Sequence, residues 1–182
     1  MAVDLEPIIR DRLMQCSQQV VEDGDKVNLV ALENLHITLN FLGDVEDELL
    51  HEVLETMSAA AGELEPFDVD VVGATAVPHG GPVRMLWASI VDPTGSLVRL
   101  YRILGDALGG MGVRQEQRGY KPHVTLARVK YLVSPGAFRH RVSHFAHEDF
   151  GVQHVDEIVA YTSILSREGP TYAPLARSPL GE

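Results

Sequence analysis

Cysteine, basic charge and long apolar runs are all scarce in this chain. Cys16 is the only cysteine among 182 residues, which excludes an internal disulfide and a zinc site built from several cysteines. No stretch is apolar for long enough to span a membrane, and the first residues carry neither the basic region nor the apolar run of a signal peptide. We therefore expect a soluble, cytoplasmic protein that is not attached to a membrane.

One short phrase occurs twice, as His36-Ile37-Thr38-Leu39 and as His123-Val124-Thr125-Leu126. In each copy apolar residues alternate with His and Thr, which is the pattern of a half-buried strand. Residues i and i+2 of a strand project from one face, so each copy presents an imidazole and a hydroxyl together. Two such strands facing across a cleft would supply one histidine to donate a proton and one to accept it, as acid–base phosphoester chemistry at neutral pH requires.

The charge is distributed unevenly around these motifs. The net charge of −11 argues against nonspecific binding to a nucleic-acid backbone. Residues 44–70 contain ten acids and no lysine or arginine, whereas residues 114–141 contain seven basic residues and one acid. Two solvated faces of opposite sign are the ordinary interpretation. Because the basic stretch surrounds the second motif, we favour an anion-attracting rim of a cleft.

Hydrophobic spacing predicts an α+β fold. Helices are predicted over residues 6–21, 43–61 with Asp44 as N-cap, 97–108 and 135–144. Strands are predicted over residues 27–30, 35–41, 67–77, 84–91, 123–130, 150–155, 157–165 and 171–176. The motif histidines are 87 residues apart, and a helix flanks each motif strand. We therefore predict one domain, residues 1–182, made of two similar lobes related by a pseudo-two-fold axis. Each lobe is a mostly antiparallel sheet with helices outside, and the active-site cleft lies between them.

The two motifs in their surroundings resemble the 2H phosphoesterase superfamily. The closer resemblance is to its RNA 2′,3′-cyclic phosphodiesterase branch, also called 2′–5′ RNA ligase. Residues 33–43 and 121–128 carry it, and residues 2–5 are similar to the end of that family's first strand. A single His-x-Thr carries almost no information, whereas two copies at this spacing in extended context are specific.

The resemblance implies a hydrolase of RNA processing that opens 2′,3′-cyclic phosphate ends to 2′-phosphates without metal or cofactor, with reversible 2′–5′ ligation as a further activity. It implies His36 as proton donor to the leaving 3′-oxygen and His123 as proton acceptor from water; the residues alone do not assign these roles. Thr38 and Thr125 are placed to bind the non-bridging phosphate oxygens. The expected partner is RNA with a 2′,3′-cyclic phosphate terminus, tRNA-derived ends included, and the expected state is a monomer.

Further residues near the second motif are candidates for substrate contact. Arg118, Tyr120 and Lys121 precede the motif strand and could line the mouth of the cleft. Strand alternation places Arg128 with Val124, on the face away from the histidine, unless a bulge turns it.

Other interpretations stay open. His140, His144 and His147 could share a helical face, but no carboxylate or cysteine pattern completes a metal site, so we interpret them as solvated. The alternatives for function are a 2H reaction on a small cyclic nucleotide-type phosphate and an RNA-end-binding module without turnover.

Overall fold

The computed structural model of the chain describes residues 1–113, 119–166 and 169–181. Within these ranges the chain forms nine β-strands and four α-helices. The strands are β1 Ala2–Asp4, β2 Lys26–Leu29, β3 His36–Thr38, β4 Phe67–Val77, β5 Met85–Val91, β6 His123–Tyr131, β7 Asp149–Val155, β8 Glu157–Ser166 and β9 Gly169–Pro179. The helices are α1 Pro7–Val20, α2 Asp47–Gly62, α3 Ser96–Gly110 and α4 Pro135–Ser143, and a 3₁₀ helix spans Leu32–Asn34.

The strands join in one sheet in which every pairing is antiparallel. The order is β7-β4-β5-β6-β3-β1-β8-β9, and β2 pairs with β6 beside this path. Helices α1 and α4 pack against β4, β6 and β7, whereas α2 packs against α3, β8 and β9. The strands that carry the two motifs, β3 and β6, are therefore neighbours at the middle of the sheet.

Regular apolar spacing builds the core on which the sheet rests. On α3 the leucines that recur at intervals of three or four residues are all completely buried, and they are Leu97, Leu100, Leu104 and Leu108. On β4 the alternating Phe67, Val69 and Val71 are buried, while Asp68 between them is exposed. Full burial of a leucine or valine side chain stabilises the fold by roughly 1.5–3 kcal/mol.

The predicted helices and strands are confirmed, although several boundaries move by one to three residues and β9 ends three residues later than predicted. The start of α2 and the end of β3 differ for local reasons. The predicted N-cap of the second helix, Asp44, is wrong: α2 begins at Asp47 with Glu46 as N-cap. The chain turns at Gly43, whose φ is 70°, and the acidic first turn of α2 then lies where the helix dipole favours negative charge. The first motif strand is shorter than predicted because the N–H groups of Leu39 and Asn40 both donate to the carbonyl of Met1.

The predicted α+β class with a mostly antiparallel sheet is confirmed. The arrangement of the motif strands differs from the expected pair facing across a cleft, because β3 and β6 lie side by side and are hydrogen-bonded. The pseudo-two-fold relation of two lobes and the single-domain boundaries stay predictions. None of the helices in the described ranges has the length and apolar character needed to cross a membrane.

Candidate active site

Strand register brings the two motifs together. Ile37 pairs with Val124 in the antiparallel β3–β6 ladder, and both side chains are completely buried. By the same register, His36 lies opposite Thr125 and Thr38 lies opposite His123, all on the other face of the sheet. Side chains opposite each other on paired strands have Cβ atoms about 4.5–5.5 Å apart, and diagonal ones roughly 7–8 Å. The four motif side chains therefore form a small quadrilateral, with the histidines on one diagonal and the threonines on the other.

A backbone carbonyl fixes the orientation of each imidazole. Nδ1 of His36 lies 2.8 Å from the carbonyl oxygen of Asn34, and Nδ1 of His123 lies 2.8 Å from that of Lys121. A carbonyl oxygen only accepts hydrogen bonds, so Nδ1 carries the proton in both rings. Nε2 is then the nitrogen left to exchange protons. Thr38 Oγ1 lies 3.0 Å from Nε2 of His36 and donates to it when the ring is neutral.

Aromatic rings from outer strands pack against both histidines. Trp87 of β5 stacks on His123 with ring centroids 3.8 Å apart and an interplanar angle of 22°. On the other side, Tyr161 of β8 stacks on His36 at 6.3 Å, and Tyr172 of β9 meets the same ring edge-on at 5.5 Å. Each imidazole therefore has an aromatic neighbour on another strand of the sheet.

Opposing effects act on the pKa of His36. Burial lowers it most, and the positive charges of the Met1 amino group and Arg10 lower it further, while the hydrogen bond with the Asn34 carbonyl and the negative charge of Asp4 raise it. Asp4 faces His36 directly in the β1–β3 register. Its carboxylate also accepts hydrogen bonds from the Tyr161 hydroxyl and from Arg177, the latter at 3.0 Å. Burial is the largest of these effects, so the unliganded site favours neutral His36.

Tyr120 supports the site from the segment before β6. Its hydroxyl donates to the carbonyl oxygen of Thr38 at 3.0 Å, and its ring stacks on Tyr101 of α3 with centroids 4.3 Å apart. Burial raises the pKa of Tyr120, so the hydroxyl stays protonated and able to donate. Lys121 is exposed and its carbonyl orients His123, whereas Arg118 lies outside the described residues. Substrate contact by these three residues stays a prediction.

A β-bulge turns Arg128 toward the histidines. Trp87 pairs with Thr125 but the preceding Leu86 pairs with Ala127, so Leu126 is an extra residue in β6. After it, Ala127 faces the core and Arg128 shares the face of Thr125. Simple alternation predicted Arg128 on the opposite face unless a bulge turned it. The bulge is present, so the prediction from alternation is wrong.

The three histidines near α4 are exposed. The rings of His140 and His144 meet edge-on with centroids 4.8 Å apart. No group of three or more His, Cys, Asp or Glu side chains within the described ranges is arranged to hold a metal ion.

Three residues of the site escaped the sequence reasoning. Trp87, Asp4 and Tyr161 lie on strands other than those of the motifs. Two signals were available: Asp4 lies within residues 2–5, which carry part of the family resemblance, and Trp87 is the only tryptophan. Neither signal shows contact with a motif histidine. Their roles depend on the order of the strands in the sheet.

Comparison with known proteins identifies relatives along nearly the whole chain. Residues 12–155 match the family model of the 2′–5′ RNA ligase superfamily. An RNA 2′,3′-cyclic phosphodiesterase of Archaeoglobus fulgidus is 32% identical over 174 residues, covering 96% of this chain and 95% of the relative. One of Methanocaldococcus jannaschii is 28% identical over 172 residues, which is 94% of each protein.

Solved structures share the fold. A crystal structure of a Thermus thermophilus protein has a TM-score of 0.84 at 24% identity, covering 99% of this chain and 96% of that one. The Escherichia coli LigT structure in complex with 3′-AMP has a TM-score of 0.74 at 25% identity, covering 100% of this chain and 96% of that one.

Proposed function

Since the chain belongs to the 2′–5′ RNA ligase superfamily, we propose that it hydrolyses RNA 2′,3′-cyclic phosphate ends to 2′-phosphates with two histidines and without a metal ion. The names of its relatives support the substrate class. The observation that carries the mechanism is the quadrilateral on β3 and β6. It places two imidazoles on opposite sides of a space flanked by two hydroxyls.

Proton transfer follows from the geometry of the imidazoles. Water attacks phosphorus as Nε2 of His123 accepts its proton, the bond from phosphorus to the 3′-oxygen breaks, and Nε2 of His36 donates a proton to that oxygen. The opposite placement of the two rings suits an in-line displacement, and each proton transfer contributes typically 10²- to 10⁴-fold to the rate. The ring that ends protonated and the ring that ends neutral exchange states before the next turnover, so no proton is consumed by the protein.

Because burial favours the neutral form of His36, this residue can act as the proton donor only if it gains a proton before the reaction. A proton donor must be protonated, yet burial lowers the pKa of His36 in the free protein. A bound phosphate diester carries negative charge, and an opposite charge within a few ångströms raises the pKa of a histidine. We therefore expect His36 to gain its proton as the substrate binds.

Charge on the non-bridging oxygens is balanced by neutral and cationic groups. The hydroxyls of Thr38 and Thr125 lie on the second diagonal, where each can donate to one oxygen. Arg128 shares that face and adds positive charge. Valine has the shape of threonine without the hydroxyl, so Thr38→Val or Thr125→Val should lower kcat by roughly 10²- to 10³-fold.

The test is to incubate an RNA oligonucleotide that ends in a 2′,3′-cyclic phosphate with the protein in EDTA, and to identify the product isomer. We expect a 2′-phosphate. His36→Ala and His123→Ala should each lower kcat by about 10²-fold or more while the circular dichroism spectrum is retained. His51→Ala serves as the matched control, because His51 is exposed on α2 and its ion pair there is with Glu55.

Other results would contradict this mechanism or indicate a different function. Activity that survives either histidine substitution would overturn the acid–base mechanism. Binding of the RNA end without turnover would identify a binding module. Turnover of a small cyclic nucleotide but not of RNA would identify the other 2H chemistry.

A further inference from the structure

Half of the cations in the described ranges have no partner there. Of the twelve lysines and arginines in these ranges, six have a side chain that forms neither a hydrogen bond nor an ion pair with another described residue. The six are Lys26, Arg84, Arg102, Lys121, Arg128 and Lys130. Unpaired cations are ordinary on a protein surface, so their number alone indicates nothing. Their concentration on and beside one strand is informative.

Five of these six lie together beside the candidate active site. Lys121 precedes β6, Arg128 and Lys130 lie on it, and Lys26 lies on β2, which pairs with β6. Arg84 lies beside the same strand, because its carbonyl accepts the N–H of Val129. Only Arg102, on α3, belongs to another part of the described molecule.

Register places most of this group on the face of the histidines. Asn28 pairs with Arg128, and Lys26 pairs with Tyr131, while the intervening Val27 and Val129 face the core. The surface therefore continues from Thr125 past Arg128 to the end of β6, a distance of about 17 Å at the usual rise of a strand. Tyr131 is 55% exposed at its far end. Arg84 lies opposite Val129, which faces the core, so the register does not place Arg84 on this face. Lys26, Lys130 and Tyr131 are called the basic strip below.

The opposite side of the histidines has a different charge character. There Arg177 is paired with both Asp4 and Glu157, and Arg10 donates to the carbonyl of Leu5. Its cations are thus satisfied by the protein. A polyanion that reaches the site would gain more from the unpaired cations of the basic strip than from this side.

We propose that the basic strip binds the RNA chain immediately upstream of the cyclic phosphate. Unpaired cations along a groove with an exposed aromatic ring are the usual combination for single-stranded nucleic acid, in which the cations follow the phosphates and the ring stacks on a base. The strip explains how a protein with a net charge of −11 holds RNA. This inference rests on the proposed function for the nature of the reacting end and adds the path of the chain behind it.

The experiment compares a double variant, Lys26→Gln with Lys130→Gln, with Arg102→Gln as the matched control. Fluorescence anisotropy measures binding of an oligonucleotide ending in a 2′-phosphate, which does not turn over, at several salt concentrations. Each phosphate contact to single-stranded nucleic acid contributes about 0.7 to the slope of log affinity against log salt, so the double variant should lose about 1.4 from the slope. Arg102→Gln should leave the slope unchanged.

Kinetic measurements separate the effect of the basic strip on RNA binding from any effect on the chemical step. The ratio of kcat/KM for the cyclic-phosphate oligonucleotide to kcat/KM for a mononucleoside 2′,3′-cyclic phosphate should fall roughly tenfold in the double variant. Tyr131→Ala should lower the same ratio, and Tyr131→Phe should restore it, since a phenyl ring still stacks.

Each result distinguishes the two proposals. An unchanged slope and an unchanged ratio, with normal hydrolysis of both substrates, would overturn the strip and leave the proposed function standing. Salt-dependent binding that the double variant loses, with no hydrolysis of either substrate, would overturn the proposed function and leave the strip as an RNA-binding surface.

Discussion

Each motif histidine is held in one tautomer by a backbone carbonyl two residues upstream. The Nδ1–H of His36 donates to Asn34 and that of His123 donates to Lys121, at the same distance of 2.8 Å. Because the acceptors are backbone atoms, the tautomer does not depend on which side chains occupy those positions. The backbone alone therefore leaves Nε2 of each ring as the nitrogen for the proposed proton exchange.

Trp87 offers a direct measurement of the second histidine. It is the only tryptophan in the chain, and it stacks on His123 at 3.8 Å. A protonated imidazole quenches indole emission, so tryptophan fluorescence should fall as His123 gains a proton on acidification. His123→Gln should abolish the titration and His36→Gln should keep it. A flat emission profile in the unmodified protein would show that the stack is absent in solution.

Replacement of Asp4 by Asn should shift the pH dependence of the reaction. The Asp4 carboxylate raises the pKa of His36, and the other groups facing that ring are Arg10, the amino group of Met1, Tyr161 and Tyr172. Without the carboxylate the pKa of His36 falls further, so protonated His36 is lost at lower pH. The basic limb of the profile of kcat/KM against pH, which reports the free enzyme, should therefore move to lower pH.

Tyr161→Phe is the control for Asp4→Asn. It removes the hydroxyl that donates to Asp4 but keeps the carboxylate and the ring that stacks on His36. The basic limb should stay close to its original position. A limb that moves to higher pH in Asp4→Asn, or equally in both variants, would contradict the assigned effect of the carboxylate.

A bulge in β6 determines which side chains face the site, and a bulge in β4 brings the backbone at Gly73 close to Ala146. In β6 the extra Leu126 turns Arg128 onto the face of Thr125, and in β4 the register shifts between Val72 and Ala74. The second irregularity is centred on Gly73, whose φ is 73°. An ideal Cβ at Gly73 would lie 2.4 Å from the carbonyl oxygen of Ala146, so backbone would have to move to admit any side chain.

Gly73→Ala should therefore destabilise the protein by at least about 2 kcal/mol, from the left-handed backbone and the contact with Ala146 together. Urea unfolding followed by circular dichroism measures the change. Gly80→Ala is the matched control, because its Cβ would meet nothing within 4 Å and its φ lies outside the left-handed region. If both variants unfold at the same urea concentration, the close approach at Gly73 does not exist in solution.

The elements were predictable where periodicity is local, and the bulges were not. Alternation over residues 67–77 predicted β4 over its full length, and leucine spacing located α3. A bulge leaves the composition of a strand unchanged, since it depends on how one extra residue fits against a partner strand. Hence the sequence was sufficient to find His123 and Thr125 on one face but not to place Arg128 beside them.

At the scale of the whole molecule, sheet order decides the site. The sequence was sufficient to predict that the histidine and the threonine of each motif share one face of a strand, because each motif lies within four consecutive residues. It was not sufficient to show that β3 and β6 are hydrogen-bonded neighbours, or that Trp87 and Tyr161 border them. Those facts depend on contacts between residues distant in the sequence, for which a single chain carries no periodic signal.

The order of the strands in the sheet also determines when each strand can find its partner during translation. β3 emerges from the ribosome early, but its partner β6 follows more than eighty residues later, and β1 must wait for β8 before its other edge is covered. A nascent chain that ends before His123 carries only one of the two motif histidines. Tyr172, whose ring meets that of His36, is added later still. The candidate active site is therefore among the last parts of the molecule to be completed, and a translation product that ends before His123 lacks half of it.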